Sequence, residues 1–252
     1  MGMARYQLIL AYDGTSFQGF QRQGSNRTVQ GELEAVLRKI GWQGRAILSA
    51  GRTDTGVHAS GQVVAFDLNW VHGLPDLQNA LNAKLPEDIS IRHIRETNED
   101  FHPRFDAAAR LYRYSLFYDE NRDPLRERYS WRIWPQLNEE AIIKAAALLH
   151  GSHDFKSFGR AMKPGESTVR MVWNSEWTRM AANERQYEIK ANAFLYHMVR
   201  RIVFLLVKCG QGNLDATEIE EALETGKKLK PGLAPPNGLV LSEIFYQPSE
   251  QG

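Results

Sequence analysis

The chain has 252 residues, 42% of them hydrophobic and 24% charged, with a net charge of +1. That composition excludes a disordered chain and gives one large domain or two smaller ones with a sizeable core. The near-zero net charge excludes a polybasic protein as a whole, so any nucleic-acid surface must come from local clustering of the 31 Lys and Arg.

One cysteine, Cys209, leaves no partner for an internal disulfide and no cysteine zinc site. The seven histidines are scattered without an HExxH pattern, which argues against a built-in metal. The opening MGMARYQLILAYDG carries no long apolar region or cleavage signal, so the chain is expected to be cytoplasmic. The most apolar run, Phe194 to Val207, is broken by His197, Arg200 and Arg201 and is too short to span a membrane.

In chain order, RYQLILAYDGT alternates and reads as a strand ending at the Asp13-Gly14 turn. TVQGELEAVLRKI follows as a helix, with Val29, Leu33, Val36, Leu37 and Ile40 at helical spacing and Thr28 as N-cap. AILSAG and GQVVAFDL are short strands on either side of a polar motif, GRTDTGVHAS. LPDLQNALNAKL reads as a helix with Leu77, Leu81 and Leu85 on one face, and ISIRHIRE as a strand. The second half begins with the strand RLYRYSLFYD and a helix, NEEAIIKAAALLHG, capped by Asn138. Two strands, VRMVWNSEWTRM and RQYEIKANAF, precede an apolar helix, LYHMVRRIVFLLVKCG, closed by Gly210. A further helix, DATEIEEALETG, and a last strand, GLVLSEIFY, complete the chain. The order β-α-β-β-α-β thus runs twice, with one extra helix in the second copy, which is the split βαβ pattern of an α+β fold. The Pro-containing NEDFHPRFD segment marks the boundary, giving halves 1–103 and 104–252. GRAMKPGESTVR, with three cations, is the best candidate for a mobile loop.

Four places could carry chemistry. Asp54 sits in a strand-bounded loop between Gly51 and Gly56, with Arg52 beside it. Two readings fit: an Asx-turn, in which the side chain bonds its own loop, and an ionised carboxylate held as a nucleophile. His58 is read as structural. Arg200 and Arg201 interrupt the apolar helix; either both are solvated, or one snorkels and the other needs a buried anion, for which Asp54 is the choice. LYRY puts Tyr112 and Tyr114 on one strand face, available to stack on a base or to pack a core, with Arg113 opposite. YDGTSFQGFQRQ combines a turn, aromatics, amides and Arg22, and suits either a phosphate and sugar contact or a plain loop.

Taken together, YDGTSFQGFQRQ, TVQGELEAVL, GRTDTGVHASGQV, FHPRFDAAARLYRY, GSHDFKSF, ANAFLYHMVRRIV and APPNGLVL, in this order, closely resemble the TruA family of tRNA pseudouridine synthases. The likeness runs from about Tyr6 to Tyr246, and GRTDxGVHA is highly specific to that family. It implies the pseudouridine synthase fold, two βαββαβ ferredoxin-like halves forming a continuous sheet around a central cleft. It implies an isomerase that converts uridine to pseudouridine in the anticodon stem-loop of tRNA, at positions 38, 39 and 40, as a homodimer without cofactor or metal. By motif, the resemblance makes Asp54 the nucleophile and Arg200 its paired cation. It assigns Tyr112 to stacking on the target base, Arg52 to the RNA backbone near the flipped nucleotide, and Leu239 to packing against the base. Three positions depart from the family pattern: Thr55 where alanine is more common, Phe204 where the helix more often has glycine, and Pro236, which stiffens its loop.

The reaction breaks N1–C1′, rotates the base and joins C5 to C1′, so the nucleotide must leave the stack and the site must exclude water. The resemblance implies that Asp54 attacks C6 or C1′ or promotes a glycal, and it leaves the base for the C5 proton open between Tyr112 and Asp54 itself. An RRM-like RNA reader competes with this reading but lacks an RNP1 run. A phosphotransferase with an aspartyl-phosphate is a third reading, weakened by the missing magnesium carboxylates.

Overall fold

A computed structural model describes residues 2–246. Backbone contacts divide the chain into two units, Met1–Ala108 with Val240–Gly252, and Ala109–Leu239.

In the first unit, β1 (Ala4–Tyr12), α1 (Val29–Lys39), β2 (Leu48–Ser49), β3 (His58–Leu68), α2 (Leu74–Asn82) and β4 (Ile89–Thr97) follow the expected order. β1 lies between β4 and β3 and is antiparallel to both, with Leu8 opposite Ile94 on one side and Val64 on the other. A last strand, β10 (Leu239–Tyr246), runs parallel to β3, with Val240 opposite His58 and Leu241 opposite Ala59. Alternation explains the sheet's faces: Leu8, Leu10 and Tyr12 point into the core. Arg5 and Asp67 pair across β1 and β3 through two bonds of 2.7 and 2.9 Å. The Thr28 hydroxyl accepts from Gly31 N–H, as its N-cap position demands, and Val29, Leu33 and Leu37 bury one stripe of α1.

In the second unit, β5 (Ala107–Tyr118), α3 (Glu139–Ala147), β8 (Val169–Arg179), β9 (Glu184–Ala191), α4 (Met198–Gly210) and α5 (Ala216–Thr225) were legible from pattern. Two short strands, β6 (Trp131–Ile133) and β7 (Gly151–Asp154), were not, because three or four residues carry no alternation to read. The strand order is β5-β9-β8-β7, antiparallel throughout, with β6 parallel on β5. Tyr114 and Tyr187 face each other across β5 and β9, both fully buried.

Three boundaries differ from the sequence reading. β3 starts at His58, so GVHAS belongs partly to the strand. α4 starts at Met198, because His197 adopts a left-handed conformation (φ 65°) and ends the preceding segment. β10, expected as the closing strand of the second half, pairs with β3 and belongs with the first unit from Val240 onward. Among the described residues no helix is long and apolar enough to cross a membrane.

Candidate active site

The loop between β2 and β3 carries Arg52 and Asp54 in the first unit. Its inward-facing residues are held by name. Gln62 Nε2 donates to the Gly51 carbonyl at 3.1 Å. The Tyr12 hydroxyl lies 2.8 Å from Thr53 Oγ1, and the Phe20 N–H donates to the Thr53 carbonyl at 3.0 Å. Asp54 then opens a tight turn, with Val57 N–H donating back to its carbonyl at 3.1 Å. The third turn residue, Gly56, has φ +77°, the left-handed value that such turns require and that only glycine adopts without strain. Thr55 occupies the exposed corner of this turn, which is why a residue other than alanine fits there. Alternation does the rest: Thr53 is buried, Arg52 is exposed and Asp54 is half-buried.

A second loop clasps the first from outside. YDGTSFQGFQRQ, read from sequence as either a phosphate contact or a plain loop, packs on the Asp54 loop. Gly56 N–H reaches the Phe17 carbonyl at 3.4 Å, and Gly19 (φ +84°) lies so close that an added Cβ would stand 2.8 Å from the Thr53 carbonyl. His58, at the start of β3, takes part in this clasp. The Gly14 N–H points at its Nδ1 from 3.0 Å, and Asp13 Oδ1 lies 3.2 Å from the same nitrogen.

In the second unit, Tyr112 and Tyr114 share a face of β5 as expected, and Arg113 points the other way, 2.8 Å from Glu188. The two tyrosines separate in role. Tyr112 is half-buried, with Phe194 edge-on at 5.1 Å. Tyr114 is fully buried and donates to the Pro235 carbonyl at 2.8 Å. Burial raises the Tyr114 hydroxyl well above its ordinary pKa, and the nearby Arg200 charge only partly offsets this. Arg200, near the start of α4, donates from Nε to the Ala234 carbonyl at 2.8 Å. Arg201 donates to the Leu229 and Gly232 carbonyls at 2.9 and 3.1 Å, and burial lowers its pKa. Neither arginine is simply solvated: both fasten the segment 229–234 to α4. That segment leads to Leu239, which is buried at the head of β10.

Sequence reasoning missed Tyr12, Gln62, Tyr114 and Ala234 as supports of the candidate residues. The clues were slight. Tyr12 and Gln62 sit at inward positions of adjacent antiparallel strands, and only the register brings both to the Asp54 loop.

Known proteins resemble this chain over nearly its whole length. The family model described as tRNA pseudouridine synthase matches residues 8–106 and 145–247. A protein of Pseudothermotoga lettingae named tRNA pseudouridine synthase A is 39% identical over 245 residues, covering 97% of this chain and 100% of the relative. One of Geobacillus kaustophilus with the same name is 40% identical over 247 residues, covering 96% and 95%. One of Myxococcus xanthus, again so named, is 37% identical over 246 residues, covering 97% and 93%. The chain belongs to the tRNA pseudouridine synthase family, whose members isomerise uridine to pseudouridine in tRNA. The α+β architecture of both units is that of the pseudouridine synthase fold.

Proposed function

We propose that this chain isomerises uridines at positions 38, 39 and 40 in the anticodon stem-loop of tRNA, with Asp54 as the nucleophile. The observation that carries this reading is the loop itself. The Gly51 carbonyl and both the hydroxyl and the carbonyl of Thr53 are held by buried partners, which supports a reading in which Asp54 is carried on a backbone with little freedom. Little reorganisation is then needed at the moment of attack, which is where a fixed geometry lowers a barrier most.

The chemistry is an internal transfer. The target nucleotide leaves its stack, because N1, C6 and C1′ are unreachable inside it. N1–C1′ breaks, the base rotates, C5 bonds to C1′, C5 loses a proton and N1 gains one, so atoms and charge balance without an external reagent. Attack at C6, attack at C1′ and glycal formation all use the same carboxylate. Tyr112 stacks on the target base; its half-buried ring on β5 supports that role. Arg200 supplies the positive partner of Asp54, Arg52 holds the RNA backbone, and Leu239 packs against the base. The exposed position of Arg52 supports a phosphate contact. We further assign the protein to the cytoplasm, where its substrate class resides, and to a homodimer, on family likeness.

The test is tritium release from a tRNA transcript labelled at C5 of its uridines, comparing wild type with Asp54→Asn. Release by wild type alone, confined to the anticodon arm, is the expected result. Substantial release by Asp54→Asn would remove the nucleophile assignment. Tight binding without release by wild type would favour a non-catalytic RNA reader. Light scattering of the purified protein checks the dimer.

A further inference from the structure

We propose that Tyr12, Gln62 and Thr53 form a buried polar network whose function is to aim Asp54, making Tyr12 and Gln62 positioning residues for the isomerisation. This rests on the reading of Asp54 as the nucleophile. All three side chains are nearly solvent-free: Tyr12 is 5% exposed, Thr53 7% and Gln62 0%. Polar groups buried this deeply are costly unless they bond one another, so the network has to be complete to persist. Gln62 Nε2 donates to the Gly51 carbonyl at 3.1 Å, while its Oε1 accepts from the Val63 N–H at 3.1 Å. The Tyr12 hydroxyl shares a hydrogen bond of 2.8 Å with Thr53 Oγ1, in which either oxygen can donate. Two buried side chains, one from β1 and one from β3, thus hold Thr53 and Gly51, and Thr53 immediately precedes Asp54.

The two anchor points matter more than either alone. Gly51 and Thr53 are two residues apart, and fixing both limits the backbone freedom of Arg52 between them and of Asp54 next to Thr53. Apolar packing at residue 53 would fill the same space without setting the direction of the side chain. The hydrogen bond shared with Tyr12 fixes the rotation of Thr53 about Cα–Cβ, and the Phe20 N–H fixes its carbonyl. Burial holds the Tyr12 hydroxyl neutral by raising its pKa far above the working range, so the network keeps one protonation state.

Tyr12→Phe, Thr53→Val and the double variant separate aiming from stability. Thr53→Val removes only a hydroxyl and keeps the side-chain shape, so it stands in if Tyr12→Phe folds poorly. Each single variant should lower kcat between about tenfold and about a hundredfold, because a small misplacement of a reacting group is enough for that loss. KM for tRNA should stay near wild type. The double variant has no unpaired hydroxyl left in the Tyr12–Thr53 pair, so its thermal midpoint should recover toward wild type while kcat stays low. Wild-type kcat in either single variant would overturn the proposal. So would a double variant that regains kcat together with its stability, since the network would then be merely structural. Asp54→Asn is run alongside. If it turns over, the reading of Asp54 falls; if it is inert while Tyr12→Phe runs at the wild-type rate, the network alone falls.

Discussion

Arg200 and Ala234 hold each other twice. The Ala234 N–H donates to the Arg200 carbonyl at 3.0 Å, and Arg200 Nε donates to the Ala234 carbonyl at 2.8 Å. One bond ties backbone to backbone and survives any substitution at position 200. The other requires a guanidinium, because it uses one of the donors arranged in that group's rigid planar fork.

Arg200→Met should therefore fold and lose most activity. A hydrogen bond to a charged group contributes about 1.5–3 kcal/mol, so the thermal midpoint should fall by several degrees while the fold is kept. Turnover should fall by at least about a hundredfold if the charge faces Asp54 in the working enzyme. Arg200→Lys should recover little of it, since an ammonium cannot bond Ala234 and an anion with the same planar geometry. Single-turnover rates with circular dichroism as the folding control make the comparison. Activity near wild type in Arg200→Met would end the ion-pair assignment.

Gly238 stands just before Leu239, and an added Cβ there would lie 2.7 Å from both the Ser115 carbonyl and Tyr114 Cε1. Neither neighbour is a flexible chain end, for Tyr114 is fully buried and itself bonded to Pro235. Gly238→Ala should destabilise by about 1–3 kcal/mol through overpacking. It should also lower kcat/KM, because the loop that carries Leu239 has to move. Urea unfolding and steady-state kinetics on the same preparation test both parts. An alanine variant with unchanged stability would mean that the loop adapts freely.

The residues that read clearly from sequence were those whose signal is local. Thr28 and Asn138 each cap a helix where cap chemistry predicts it, and the side chain of each accepts from the first turn. Asp54 was singled out because a short motif names it, and its role as nucleophile stands as a proposal. The supports around it were not, since Tyr12 lies 41 residues from its partner Thr53 and only strand register brings them together. Phe204 makes the same point from the other side. From sequence, phenylalanine where the family more often has glycine looks like crowding between helices. Its ring instead lies half-buried over Gly232, at a spot where any Cβ would stand 2.2 Å from Phe204 Cζ, with Lys208 Nζ 5.4 Å from the ring centre. A large residue on the helix is matched by a missing side chain on the segment beside it, and the two positions are 28 apart in sequence, too far for pattern reading to link them.

Asp154 gives a pH prediction. Burial acts to raise its pKa, but the Thr168 hydroxyl at 2.5 Å, the Lys156 N–H at 3.1 Å and the Lys156 charge outweigh this, and the net shift is downward. A carboxyl depressed in the folded state adds stability above its unfolded pKa, about 3.9 for an aspartate, and loses that contribution as pH falls through the folded value. Asp154→Asn should therefore lower the thermal midpoint at neutral pH, and the gap to wild type should close in strong acid. Calorimetric scans across that range decide it. A gap that stays constant with pH would show that the hydrogen bonds act without the charge.

Arg52 is exposed beside Asp54, and its assigned partner is a phosphate, which predicts how salt should act. Each phosphate neutralised by a protein cation releases condensed counterions. The logarithm of the binding constant therefore falls with the logarithm of salt by about 0.7 to 0.9 per contact. Wild-type affinity for tRNA should drop steeply from low to high salt. Arg52→Ala should bind more weakly at every salt concentration and show a slope shallower by about one contact. A cation that only tuned the carboxylate of Asp54 would act differently: its loss would change kcat and leave the slope alone. Filter binding of Arg52→Ala and wild type across a salt series, with Asp54→Asn as carrier background to stop turnover, separates the two. A slope unchanged by the substitution would move Arg52 from the RNA backbone to the chemistry of its neighbour.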